Sequence, residues 1–151
     1  MVSLFKRKDF FNRDEKERII SAIRDAEKQT SGEIRIFVER RCRFVDPLDR
    51  AAELFSRLKM DQTKERNGVL VYVALKDRQL AILGDRGIHE KVGSEFWNNE
   101  VRKMLMHFRN DAYSDGIIAI IHDIGTALTS HFPYDSKSDK NELPDDIVFG
   151  K

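Results

Sequence analysis

The alternation of apolar and polar positions divides the chain into seven segments. Asn12 and Glu15 stand at capping-box spacing, and Ile19, Ile20, Ile23 and Ala26 recur at helical intervals. Gly32 stands where a helix terminator belongs, so the spacing predicts a first helix over residues 12–31. In Glu33–Glu39 the residues Ile34, Ile36 and Val38 alternate with polar ones, the period of a strand. Asp46-Pro47 reads as the N-cap and first residue of a second helix, with Ala51, Leu54, Phe55 and Leu58 as its apolar stripe. The run from Val69 to Leu75 is apolar throughout, as in a strand covered on both faces. A short turn at Lys76-Asp77-Arg78 leads into Gln79–Leu83, so these two strands are expected to form a hairpin. Trp97, Val101, Met104, Leu105 and Phe108 mark a third helix. Ile117, Ile120, Ile121, Ile124 and Leu128 mark a fourth, ended by Pro133.

The order α-β-α-β-β-α-α defines the expected fold. A right-handed parallel crossover joins the first two strands. A central strand apolar on both faces requires helices on both sides. The expected class is α/β, a three-layer α/β/α sandwich with a small mixed β-sheet. One domain is expected over residues 1–133, followed by a polar, flexible tail at 134–151. Within that tail only Leu143 and Ile147-Val148-Phe149 are apolar enough to dock.

This topology brings three loops to one end of the sheet, and with them Glu33, Asp61, Asn67 and Asp85. The stretch Asn110 to Ile117 joins the last two helices, and spacing alone leaves its position open.

Composition narrows the partners. The chain has 151 residues with 27 basic and 26 acidic side chains, net +1. Such a balance argues against nucleic acid as a partner. No apolar run is long enough for membrane insertion, and the first residues lack a signal core. Cys42 is the only cysteine, which excludes an internal disulfide and suggests a reducing compartment; the expected location is cytoplasmic. Arg40-Arg41-Cys42-Arg43 leaves the first strand at the end opposite the acidic loops, either as a solvated loop or as a receiver of an anionic partner.

Three motifs then occur in order: Asn67-Gly68-Val69-Leu70-Val71, Gly84-Asp85-Arg86-Gly87-Ile88, and Asp111-Ala112-Tyr113-Ser114-Asp115-Gly116-Ile117. Together, over residues 14 to 132, they resemble the TPM domain family, named for thylakoid, phosphatase and membrane-associated members. Two departures stand out. An alanine intervenes between Asp111 and Tyr113, and the glycine segment is one residue longer. The resemblance implies an α/β/α sandwich and an acidic loop cluster that binds a divalent cation, often calcium. Phosphatase activity is attributed to some plant members.

Calcium takes six to eight oxygens from carboxylates, carbonyls and waters. Asp61, Asp85, Asp111 and Asp115, with loop carbonyls, are the candidate metal ligands. The plainer reading gives each a local role: Asp85 holds its own turn, Asp111 breaks the third helix, and Ser114 or Asp115 caps the fourth. Zinc is disfavoured, because His89, His107, His122 and His131 are not at ligand spacing. Two functions follow as expectations. The first is a cation-binding interaction module with a protein partner and Ca²⁺, or another divalent cation, as cofactor. The alternative is a metal-dependent phosphatase-like hydrolase, for which no nucleophile motif appears in the sequence.

Overall fold

In the computed structural model, residues 10–44, 46–134 and 147–150 are described. Their elements are α1 (Arg13–Glu27), β1 (Glu33–Glu39), α2 (Pro47–Arg57), β2 (Gly68–Ala74), β3 (Gln79–Gly84), α3 (Arg86–Arg109), α4 (Tyr113–His131) and β4 (Ile147–Phe149). The expected caps are present. Asn12 N–H donates to Glu15 Oε1 at 2.9 Å and Glu15 N–H donates to Asn12 Oδ1 at 2.8 Å, the reciprocal capping box. Asp46 accepts from Leu48 N–H at 2.9 Å, with Pro47 starting α2.

The first helix is shorter than its periodicity suggests. It ends at Glu27 because Thr30 and Ser31 are drawn to the end of α4. The Thr30 hydroxyl and Ser31 N–H both donate to Phe132 O, the latter at 3.0 Å. Gly32 is not a helix terminator. A Cβ there would lie 2.6 Å from the Leu128 side chain, so close packing under α4 selects glycine.

The sheet is mixed, in the order β3-β2-β1-β4. β1 and β2 are parallel with Phe37 opposite Tyr72, β2 and β3 antiparallel, and β4 parallel to β1. Thus Ile147-Val148-Phe149 of the expected tail is an edge strand of the domain. Every residue of β2 is buried. Ile34, Ile36, Val38, Val69, Val71 and Val73 face one core, shared with α1, α3 and α4. Phe37, Leu70, Tyr72 and Ala74 face a smaller core beneath α2. Each large aliphatic or aromatic side chain so buried contributes roughly 2 kcal/mol. The alternation along β1 and β2 therefore dictates the three layers.

Two ends of the sheet matter for function. The amino ends of β1 and β2 meet the end of β3. β1, seven residues long, places the carboxyl ends about 20 Å away at ~3.3 Å per residue. α3 carries the chain from the first end to the second. Gly93 interrupts it, with φ 78° and ψ 168°, a combination that glycine alone adopts readily.

Candidate functional site

The segment Gly84-Asp85-Arg86-Gly87 is not a free loop. Gly84 ends β3, Asp85 is the N-cap of α3, and the helix begins at Arg86. Asp85 Oδ1 accepts from Arg86 N–H at 2.8 Å, and Asp85 N–H donates to Gly68 O at 2.8 Å, so the strand pairs up to the residue that starts the helix. The Asp85 side chain is only 6% exposed. Its charge is met by Arg66, whose Nε stands 2.7 Å from Oδ2 and Nη2 3.0 Å from Oδ1. This two-pronged hydrogen bond to Asp85 raises the Arg66 pKa, and the nearby charge of Asp61 adds to it. Both glycines answer to packing. A Cβ on Gly84 would lie 2.3 Å from the Trp97 ring, and one on Gly87 2.2 Å from Glu65 O.

The three loops expected at the amino end do meet there, around Asn67. Its C=O accepts from Glu33 N–H at 3.4 Å and its N–H donates to Thr63 Oγ1 at 3.3 Å. Its Nδ2 donates to Ser31 Oγ at 3.1 Å, and Ser31 Oγ donates to Glu65 Oε2 at 3.0 Å. Asn67 is 1% exposed, yet its Oδ1 accepts no hydrogen bond among the described residues. Buried amide oxygens rarely stay unpaired. The exposed Asp61 bonds the adjacent Gln62 side chain at 3.3 Å.

The four sequence-predicted aspartates do not assemble into one site. Asp61 and Asp85 lie at the amino end. Asp111 lies at the carboxyl end, where Arg78 of the β2–β3 turn reaches its Oδ1 at 3.1 Å and the Tyr113 hydroxyl donates to the same atom at 3.2 Å. Asp111 takes φ 54°, breaking the helix as the plainer reading holds. Asp115, in the first turn of α4, pairs with Arg18 of α1 at 2.9 Å. The cause is the length of α3, which separates the two motifs by the height of the sheet. α4 starts without a side-chain cap, and Ser114 Oγ instead donates to Glu15 at 3.0 Å. Among the described residues no three His, Cys, Asp or Glu side chains gather closely enough to hold a metal ion by themselves.

Sequence reasoning missed two other polar groups. Glu39 ends β1 buried, accepting from the Tyr72 hydroxyl and from Arg50 Nε and Nη2, both at 3.0 Å. Burial, then the hydrogen bond to Glu39, raises the Tyr72 pKa. Its signal was a polar residue in register with the covered face of β2. Glu100 of α3 is 3% exposed. Burial and then the neighbouring Asp123 push its carboxyl up to about 7, against the pull of Lys103 at 3.2 Å.

The TPM domain family model matches residues 4–127. Solved structures of the same shape include the BA42 protein from the psychrophilic bacterium Bizionia argentinensis. It is 42% identical, with a TM-score of 0.85 over 94% of this chain and 97% of that one. The N-terminal domain of a P. gingivalis protein shares the fold at 17% identity and a TM-score of 0.66, covering 84% of this chain and 83% of its own. The N-terminal domain of the cg2496 protein from Corynebacterium glutamicum does so at 12% and 0.62, covering 92% and 80%. No curated protein matches the chain. No described helix is long and apolar enough to cross a membrane. The motif order, the three-layer sheet and the match over most of its length agree, and the chain belongs to the TPM domain family.

Proposed function

We propose that this TPM domain is a divalent-cation-binding interaction module whose ion, calcium by preference, ties together the three loops at the amino end of the sheet. One observation carries the reading: among the described residues Asn67 Oδ1 is a buried acceptor that meets no donor, on an amide whose Nδ2 faces Ser31 Oγ and Glu65 Oε2. A hard cation satisfies such an oxygen. Calcium accepts amide and backbone carbonyls and waters beside one or two carboxylates, so it does not require three acidic side chains. With the Asn67 amide turned over, so that Oδ1 takes the place of Nδ2 beside Ser31 and Glu65, the residues that fit are Asn67 through Oδ1, Glu65 and Asp61 through their carboxylates, and Ser31 through its hydroxyl. Asp85 is a supporting residue here, because Arg66 already neutralises it. Asp111 and Asp115 lie outside the site.

The ion would supply rigidity. Loops 28–32 and 58–67 and the start of α3 would become one fixed surface, offered to a protein partner. The engaged aspartates favour this over hydrolysis: Asp85, Asp111 and Asp115 each hold an arginine, as structural pairs do. The free thiol of Cys42 fits a reducing compartment such as the cytoplasm.

Thermal unfolding in Ca²⁺ against chelator tests the proposal. A ligand at a hundredfold excess over its Kd stabilises the folded state by about 2.7 kcal/mol. The expected result is a raised melting temperature that Asn67→Ala and Glu65→Gln abolish and Asp111→Asn leaves intact. Identical melting in Ca²⁺ and chelator overturns it.

A further inference from the structure

The carboxyl ends of the parallel strands carry the opposite chemistry. β1 runs out into Arg40-Arg41-Cys42-Arg43 and β2 into Leu75-Lys76. Their backbones stay paired beyond the strands, Leu75 N–H donating to Glu39 O at 3.0 Å and Lys76 N–H to Arg40 O at 2.8 Å. Asp77 Oδ2 accepts from Cys42 N–H at 2.7 Å, which pins the basic run against the β2–β3 turn. On the other side Gly150 N–H donates to Val38 O at 2.7 Å and extends β4. Gly150 approaches so closely that a Cβ there would lie 2.7 Å from the Glu39 Cβ. Between these walls lies a crevice of about 1100 Å³, whose lining includes Phe37, Phe44 and Phe149.

Its charges do not cancel. Glu39 is consumed by Arg50, Arg57 reaches Glu53 at 4.0 Å, and Arg41 reaches Asp77 at 3.9 Å. Among the described residues no carboxylate lies within ion-pairing distance of Arg40, Arg43 or Lys76. Like charges on adjacent strand ends oppose folding. A surface shaped only for solubility intersperses the two signs. Here they are held together by backbone hydrogen bonds around a concave space.

The crevice also lies where the strand order reverses. From β1 the chain crosses through α2 to β2 on one side, while β4 joins β1 on the other. Open α/β sheets bind ligands at the carboxyl ends of their strands at such a point. The volume is of the size that takes a small molecule.

We propose that this crevice binds a phosphorylated small molecule carrying several negative charges. Arg40, Arg43 and Lys76 meet the phosphoryl oxygens, and the phenylalanines carry the organic part. Arginine suits this task because its planar fork matches phosphate oxygens in pairs. The site stands about 20 Å from Asn67, the length of β1, and does not depend on the cation reading.

Titration calorimetry without metal tests it, in about 100 mM salt, where exposed charges are screened beyond about 10 Å. The probes are inorganic tripolyphosphate, ATP and phosphatidylglycerol vesicles. Tripolyphosphate and ATP are expected to bind. The triple variant R40Q/R43Q/K76Q is expected to bind both about tenfold or more weakly, with a melting temperature equal to or above the parent's, because removing like charges relieves their repulsion. The charge-matched K28Q/K91Q/R102Q is expected to bind them as the parent does. Silence toward both soluble anions up to millimolar concentration overturns the proposal. So does equal weakening in the two triple variants, or binding to vesicles alone.

Discussion

Arg66 Nε lies 2.7 Å from Asp85 Oδ2, and this contact ties the loop entering β2 to the residue that starts α3. The glycine-flanked aspartate of the family motif is thus first a folding device. It caps a helix, ends a strand and neutralises an arginine held at φ 54°.

Asp85→Ala is expected to lower stability by about 2 kcal/mol. Loss of an N-cap costs about 1 kcal/mol, and a largely buried charge-assisted hydrogen bond is worth a similar amount. Asp85→Asn keeps the cap acceptor and is expected to lose about half as much. Urea unfolding of both variants decides the matter. Equal losses would show that the cap contributes nothing.

Gly87→Ala is expected to cost about 2 kcal/mol or more, whether or not metal is present. The added Cβ meets backbone, Glu65 O at 2.2 Å and Arg66 O at 2.6 Å, and backbone yields less readily than a side-chain tip. Denaturant unfolding in chelator measures it. A stability equal to the parent would mean that the 63–67 loop moves freely.

How much of this was legible beforehand follows from range. The capping box, the Asp46-Pro47 start and the strands rest on near neighbours, and all are present as expected. Asp85 as a turn-holding residue was also within reach, since an N-cap is a local feature. The meeting of three loops at Asn67 followed from topology. The division of the aspartates did not. It depends on the length of α3 and on arginines distant in sequence, Arg18 lying 97 residues from Asp115. β4 was visible only as three apolar residues, because a short edge strand carries little periodicity. The buried Glu39 went unnoticed because its partners, Tyr72 and Arg50, come from β2 and α2.

Glu39→Ala is expected to cost about 3–5 kcal/mol, the range for breaking a buried ion pair from one side. Arg50 would stay largely buried, its side chain 15% exposed, with Glu53 as its one remaining carboxylate among the described residues. Tyr72→Phe removes one donor and is expected to cost about 1 kcal/mol, because Arg50 still balances Glu39. Chemical denaturation of the two variants gives the order; a Tyr72→Phe loss as large as that of Glu39→Ala would refute the assignment.

Glu100 makes stability depend on pH. Its folded pKa is raised to about 7 from the ordinary 4.5, first by burial. A raised pKa means that the folded state holds the proton more tightly. The contribution is therefore fully present below about pH 4.5 and is lost as pH climbs through about 7. Glu100→Gln, which is neutral at every pH, is expected to gain on the parent by about 2 kcal/mol between pH 5 and 8. Unfolding midpoints across that range measure the gain, and parallel pH profiles would remove the effect from Glu100.

The central claim, a cation held around Asn67, is tested most directly by following backbone amide resonances during a Ca²⁺ titration. The account predicts saturable shifts confined to residues 31–33, 61–68 and 84–87, with the Asn67 side-chain amide among the largest, and none at Asp111 or Asp115. Shifts centred on residues 110–116, or an unchanged spectrum at millimolar Ca²⁺, would contradict it.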